Sequence, residues 1–243
     1  MGHHEDRRFR AGAGGLSFEV NAMKLAMNAL IKYLCGLVLM GALLFVPAGT
    51  LAWGRGWLLM SLLFVPMLAL GLVLFLKAPE LLRKRLNSRE GETAQKKVVG
   101  LAAMVFLLGF IAAGLDFRFG WTHVQGWIVA IASVLFLASY GMYAEVMREN
   151  AYLSRTVEVQ AEQKVIDTGL YGIVRHPMYA ASVLMFMSMP LVLGSWVSLL
   201  VFLVYPILIV MRIRNEEQVM LAGLEGYAAY REKVKYSLIP FIW

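Results

Sequence analysis

The chain has 243 residues, of which 60% are hydrophobic and only 16% charged, and its mean hydropathy is +0.66. Soluble domains carry about a quarter charged residues, so an ordinary soluble domain is excluded. The formal charge of +7 does not point to nucleic acid, because the basic residues form no stripe interleaved with aromatics. A single cysteine, Cys35, leaves neither an intrachain disulfide nor a cysteine metal cluster, and no metal site is expected.

Residues 1–22 lack an apolar core and contain Gly12 to Gly15 and the pair His3 and His4. They read as an expression leader or a disordered segment, with Met23-Lys24-Leu25 the more natural start. Six apolar runs follow, at roughly 26–48, 55–76, 98–115, 124–146, 178–193 and 195–213. A bilayer span takes about 20 apolar residues, and only helices satisfy their backbone in lipid without partners. The expected fold is therefore all-α and integral to a membrane, with five to six transmembrane helices. Six is the first choice, and the alternative of five makes the first run peripheral. The last two runs are short and meet at Gly194-Ser195, which predicts a tight helical hairpin. Transmembrane helices at 23–146 would precede a catalytic part at 147–243.

Lysine and arginine placement gives the orientation. With both ends in the cytoplasm, only Arg55 and Arg118 of the 23 basic residues fall in outside loops, the asymmetry that the positive-inside rule describes. A bacterial-type plasma membrane is the expected location. Loop 77–97 holds seven basic and three acidic residues and reads as a solvated connector carrying topology charges. Trp53, Trp57, Trp121 and Trp127 fall at span ends, where an indole suits the headgroup layer. Pro47 and Pro66 should bend or end helices.

Charge close to a span is costly and points to function. Two clusters stand out. One is the run Gly169-Leu170-Tyr171-Gly172-Ile173-Val174-Arg175-His176-Pro177-Met178-Tyr179, leading into the hairpin. The other is Arg212-Ile213-Arg214-Asn215-Glu216-Glu217, where the hairpin should leave the membrane. A closed hairpin returns both to one face. Taken singly, each residue also has a plain reading. Pro177 suits a helix start, Tyr171 and Tyr179 could anchor at the interface, Arg175 and Arg212 could snorkel, and Arg212 could pair with Glu216 four residues on.

The pattern Gly169-x-Tyr171-x-x-x-Arg175-His176-Pro177-x-Tyr179, then a hairpin, then Arg212-x-Arg214-x-Glu216-Glu217, resembles the isoprenylcysteine carboxyl methyltransferase family. The tail Glu225-Gly226-Tyr227-x-x-Tyr230 with Leu238-Ile239-Pro240-Phe241 looks like that family too. The resemblance covers about 155–243 by motif and the upstream spans by hydropathy. It implies a membrane-embedded methyltransferase with S-adenosyl-L-methionine as cofactor. It further implies that Gln163, Lys164, Val165 and Ile166 form a strand-like approach to the adenosine. Tyr171, His176, Pro177, Met178 and Tyr179 would wall the cofactor, with Gln160 a further contact. Glu216 would hold the cofactor's ammonium group, with Glu217 a near-equivalent, and Arg212 would face the substrate. Arg212 and Glu216 are thus the expected catalytic residues. The partners implied are membrane lipid and a lipophilic or small acceptor: a carboxylate, a thiol or a lipid amine. The competing readings are a sterol-type membrane reductase using NADPH and a non-enzymatic transporter or scaffold.

Overall fold

The computed structural model of the chain describes residues 5–86, 93–150, 152 and 163–243; Gln160, His3 and His4 lie outside them. Nine α-helices occur among the described residues, with no strand. They are α1 (Glu5–Ala48), α2 (Gly54–Lys77), α3 (Pro79–Leu86), α4 (Thr93–Phe119), α5 (Gly126–Glu149), α6 (Pro177–Leu193), α7 (Trp196–Phe202), α8 (Val204–Gly223) and α9 (Tyr227–Lys233). The chain is an all-α integral membrane protein, and its helix α1 begins well before the expected 26.

Five stretches are long and apolar enough to cross a bilayer: Ala22–Ala48, Gly54–Lys77, Lys97–Phe119, Gly126–Glu149 and Trp196–Gly223. Helix α6 has 17 residues, about 26 Å at 1.5 Å per residue, and falls short of them. The five-span alternative is thus corrected in its detail, because the first run is not the peripheral one. Met40, Leu44, Phe45 and Ala48 of α1 are buried in the main core with Leu59, Phe64, Phe110, Phe136, Met185 and Phe202. Large apolar side chains such as Val38, Leu39, Val46, Leu72, Leu76, Val134 and Leu200 stay exposed on the outer faces, the surface a lipid solvent requires.

The hairpin forms as its sequence dictates. Pro177 opens α6 at a position where the missing N–H costs nothing. Gly194 closes it in the left-handed region at φ 82°, and an added Cβ there would run into the Arg55 side chain. Ser195 then caps α7, its hydroxyl accepting from the Ser198 amide at 3.0 Å. The break at Leu203 between α7 and α8 follows from Pro206, which has no N–H for the Phe202 carbonyl. The returning arm runs to Gly223, ten residues past the expected end at 213. Arg212 to Glu217 consequently sit on a continuous helix rather than where a helix stops.

At the hairpin tip, Asp116 is 1% exposed. It accepts from the Thr122 amide at 2.7 Å, from the Thr122 hydroxyl at 2.5 Å and from the Ser195 hydroxyl. The Trp196 amide donates to Thr122 Oγ1 and its indole to the His123 carbonyl, both at 3.1 Å. Arg55 donates to the Val124 carbonyl at 3.0 Å. Asp116 and Thr122 therefore fasten the tip to α4 and the α4–α5 loop, and Arg55 ties α2 to the same loop, at the end opposite the two charged clusters.

Candidate active site

The segment 163–167 is irregular, with no strand partner among the described residues, so the expected strand-like approach is a loop held by side chains. Val165 packs against Tyr227 and Tyr230, and Ile166 packs against Val146 and Tyr171. Lys164 is exposed, and Gln163 is half-buried. Lys233 bonds Asp167 at 2.7 Å and holds that carboxyl below its usual range.

A single 3₁₀ turn, Gly169–Gly172, follows. It presents Tyr171 to two partners: Asn150 Nδ2 donates to the Tyr171 hydroxyl at 2.9 Å, and the Tyr230 hydroxyl donates to the Tyr171 carbonyl at 2.8 Å. The Tyr171 ring is buried beside Val146, Ile166 and Leu170, with Met178 at the edge of the same cluster. Pro177 is fully buried.

Arg175 is the hub of this end. Its Nε donates to Glu217 Oε1 at 2.8 Å, and its Nη1 to the Val234 and Lys235 carbonyls at 2.7 and 2.8 Å. Its Nη2 donates to the Ser237 hydroxyl. The amides of Arg175 and His176 bond the Tyr236 and Ser237 carbonyls, each at 2.9 Å. His176 Nε2 lies 3.2 Å from the same Glu217 oxygen. These bonds tie the start of α6, the middle of α8 and the tail after α9 together around buried charge. The plain reading of Arg175 as a snorkelling charge is overturned, since it is buried with four acceptors. Sequence offered one clue: Arg175 is flanked by Val174 and His176 rather than by a charged loop.

Glu216 and Glu217, near-equivalents in sequence, point differently. Glu217 is buried and engaged by Arg175 and His176. Glu216 accepts from the Tyr179 hydroxyl at 2.5 Å, and Arg212 Nε donates to the same hydroxyl at 2.8 Å. The Arg212 guanidinium also lies 5.8 Å from the Tyr179 ring centroid, and the His176 and Tyr179 rings stack at 5.7 Å. His176, Tyr179, Arg212, Glu216 and Glu217 thus converge on one end of the hairpin. Beneath them Tyr205, Leu208, Ile209, Ile213 and Leu238 form an apolar floor with Val105.

Sequence reasoning gave no role to Tyr227 and Tyr230, which stand three apart on α9 with ring centroids 5.8 Å apart. Tyr230 bonds Tyr171, whereas the buried Tyr227 hydroxyl has no hydrogen-bond partner among the described residues. Burial, and then the Glu217 carboxylate, push the Tyr227 hydroxyl above its ordinary range, so it remains a donor at neutral pH. Among the described residues no group of three or more histidines, cysteines or carboxylates could hold a metal ion.

Comparison with curated proteins finds no match to the chain. Residues 124–225, from just before α5 to the approach of α9, match the family described as phospholipid methyltransferase. Over this part the chain is similar to that membrane-embedded methyltransferase family, which includes the isoprenylcysteine carboxyl methyltransferases.

Proposed function

We propose that the protein transfers a methyl group from S-adenosyl-L-methionine to a lipophilic acceptor that enters from the membrane and presents an anionic group to Arg212. The observation that carries this reading is the bridge Arg212–Tyr179–Glu216. It places a cation and an anion on either side of one phenol, above an apolar floor.

The residues present fit the cofactor by their chemistry. Glu216 is the carboxylate not taken up by Arg175, and it would hold the ammonium group. His176, Pro177, Met178 and Tyr179 would form the wall, with Gln163, Lys164, Val165 and Ile166 toward the adenosine. Glu217, although beside Glu216, would act on the cofactor only through the position it gives His176 and Arg175. When bound, the cofactor supplies a methyl group on a positively charged sulfur, which an anionic oxygen or sulfur displaces without any proton being moved. The side chains then have two tasks: to orient the reactants in line and to keep water out. Arg212 orients the acceptor, and the apolar residues below Tyr179 give its tail a dry path. A carboxylate or a thiolate suits Arg212 better than a lipid amine, which would need a base to take its proton.

The experiment is calorimetric titration of the purified protein with S-adenosylhomocysteine and with NADPH, followed by transfer of labelled methyl to prenylcysteines, small thiols and phospholipid amines. Binding of S-adenosylhomocysteine and labelling of an anionic acceptor are expected. Binding of NADPH alone would replace the proposal with a reductase. Labelling of the amine alone would remove the role given to Arg212.

A further inference from the structure

The unpartnered hydroxyl of Tyr227 marks a subsite that the bridge described above leaves unfilled. Tyr227 is 6% exposed, and its ring is fixed by Tyr230, Val165, Met220 and Leu224. A buried phenol normally finds a partner, and leaving that bond unmade is destabilising. Among the described residues none is supplied. The charged groups acting on this hydroxyl are Glu217, Arg175, Glu216 and Arg231. Glu217 and Arg175 are committed to one another, and Glu216 is engaged by Tyr179. Arg231 differs: its side chain is 49% exposed and meets Glu217 only at 3.8 Å, at the far limit of an ion pair. It lies four residues after Tyr227 on α9, one turn along the same face. A buried donor and a loosely held guanidinium therefore stand together, close to two carboxylates. That is an arrangement for an anionic group that arrives with a cation attached.

We propose that Tyr227 and Arg231 bind the carboxylate of an α-amino-acid moiety whose ammonium group is taken by Glu216. The inference rests on the methyltransferase reading, in which that moiety is the amino-acid end of the cofactor. Tyr227 closes the site from the tail, while His176 and Tyr179 close it from the hairpin. Val165 packs on Tyr227, so the same contact links the adenosine side of the site to its amino-acid side.

The test compares two ligands that share an adenosine thioether. S-Adenosylhomocysteine has the amino-acid end, and 5′-methylthioadenosine lacks it. Both are titrated calorimetrically into the full chain and into Tyr227→Phe and Arg231→Gln. Tyr227→Phe should weaken S-adenosylhomocysteine about tenfold, as expected for loss of a hydrogen bond to a charged group, and leave 5′-methylthioadenosine within about twofold. Arg231→Gln should act in the same direction. Without ligand, Tyr227→Phe should melt no lower than the parent, because it deletes an unsatisfied donor. Its stabilisation by S-adenosylhomocysteine should be smaller. Unchanged affinity in Tyr227→Phe, or an equal loss for both ligands, would overturn the subsite. A parent protein that binds neither ligand would overturn the methyltransferase reading itself, a different result from either of those.

Discussion

Arg175 and Glu217, 42 positions apart, meet in an ion pair at 2.8 Å whose side chains are 7% and 11% exposed. A buried charge that loses its partner costs about 3–5 kcal/mol. Here Arg175 also serves the Val234 and Lys235 carbonyls and the Ser237 hydroxyl. Arg175→Met should therefore lower the unfolding free energy in mixed micelles by about 3 kcal/mol or more. Arg175→Lys should rescue little, since an ammonium cannot reproduce a planar fork spread over four acceptors. Full stability in Arg175→Lys would show that charge, not geometry, is what the tail requires.

The neighbouring bridge makes a prediction that separates the two carboxylates. Tyr179 joins Arg212 to Glu216 and leaves Glu217 outside. On the proposed function, Glu216→Gln should weaken S-adenosylhomocysteine about tenfold, a hydrogen bond to charge being worth about 1.5–3 kcal/mol. Arg212→Ala should raise KM for the acceptor while cofactor affinity changes little. Tyr179→Phe should lower kcat/KM for both, because each partner loses its orienting contact. Equal losses of acceptor and cofactor affinity in Arg212→Ala would end the assignment of Arg212 to the acceptor.

Much of this arrangement was legible in the sequence because membrane helices announce themselves. Hydropathy located the spans, and a proline and a glycine bounded α6. The two clusters that met on one face were those with charge beside apolar runs. What was not legible came from contacts with no local signature. Arg175 and Arg212 look alike in sequence, and only the fold buries one against the tail and aims the other at Tyr179. Glu216 and Glu217 are adjacent, yet about 100° apart on an α-helix, so the rotation of α8 about its axis decides which meets Arg175. The returning arm extends ten residues past the apolar run that ends at 213, because the helix continues through Arg212 and Arg214 to Gly223. Asp116 drew no attention in the sequence because it stands alone between Leu115 and Phe117.

Asp116 should matter to stability rather than to ligand binding. It holds Thr122 and Ser195 at the tip, separated from Tyr179 by nearly the whole of α6. Asp116→Ala leaves those donors unmet, each at about 1–3 kcal/mol, and should lower the melting temperature clearly. Asp116→Asn keeps one carbonyl acceptor and should cost less. Gly194→Ala should also destabilise, through its φ of 82° and its clash with Arg55. Ligand affinity in the folded fraction should be unchanged in all three. A selective loss of S-adenosylhomocysteine affinity in Asp116→Asn would instead show that the tip sets the geometry of the opposite end.

Orientation gives the last prediction. Of the 23 lysines and arginines, 21 are assigned to one side, and the exceptions Arg55 and Arg118 stand at the hairpin-tip end, where Arg55 meets Val124 and Arg118 crowds Gly49. On the positive-inside rule the candidate site is expected in the cytoplasm and the tip outside. Cys35 is the single native thiol, so Cys35→Ser gives a clean background for two reporters, His123→Cys near the tip and Glu232→Cys on α9. In intact cells an impermeant maleimide should label the first and spare the second until the membrane is opened. The reverse pattern would turn the molecule over, and the cofactor would then have to be supplied from the outside.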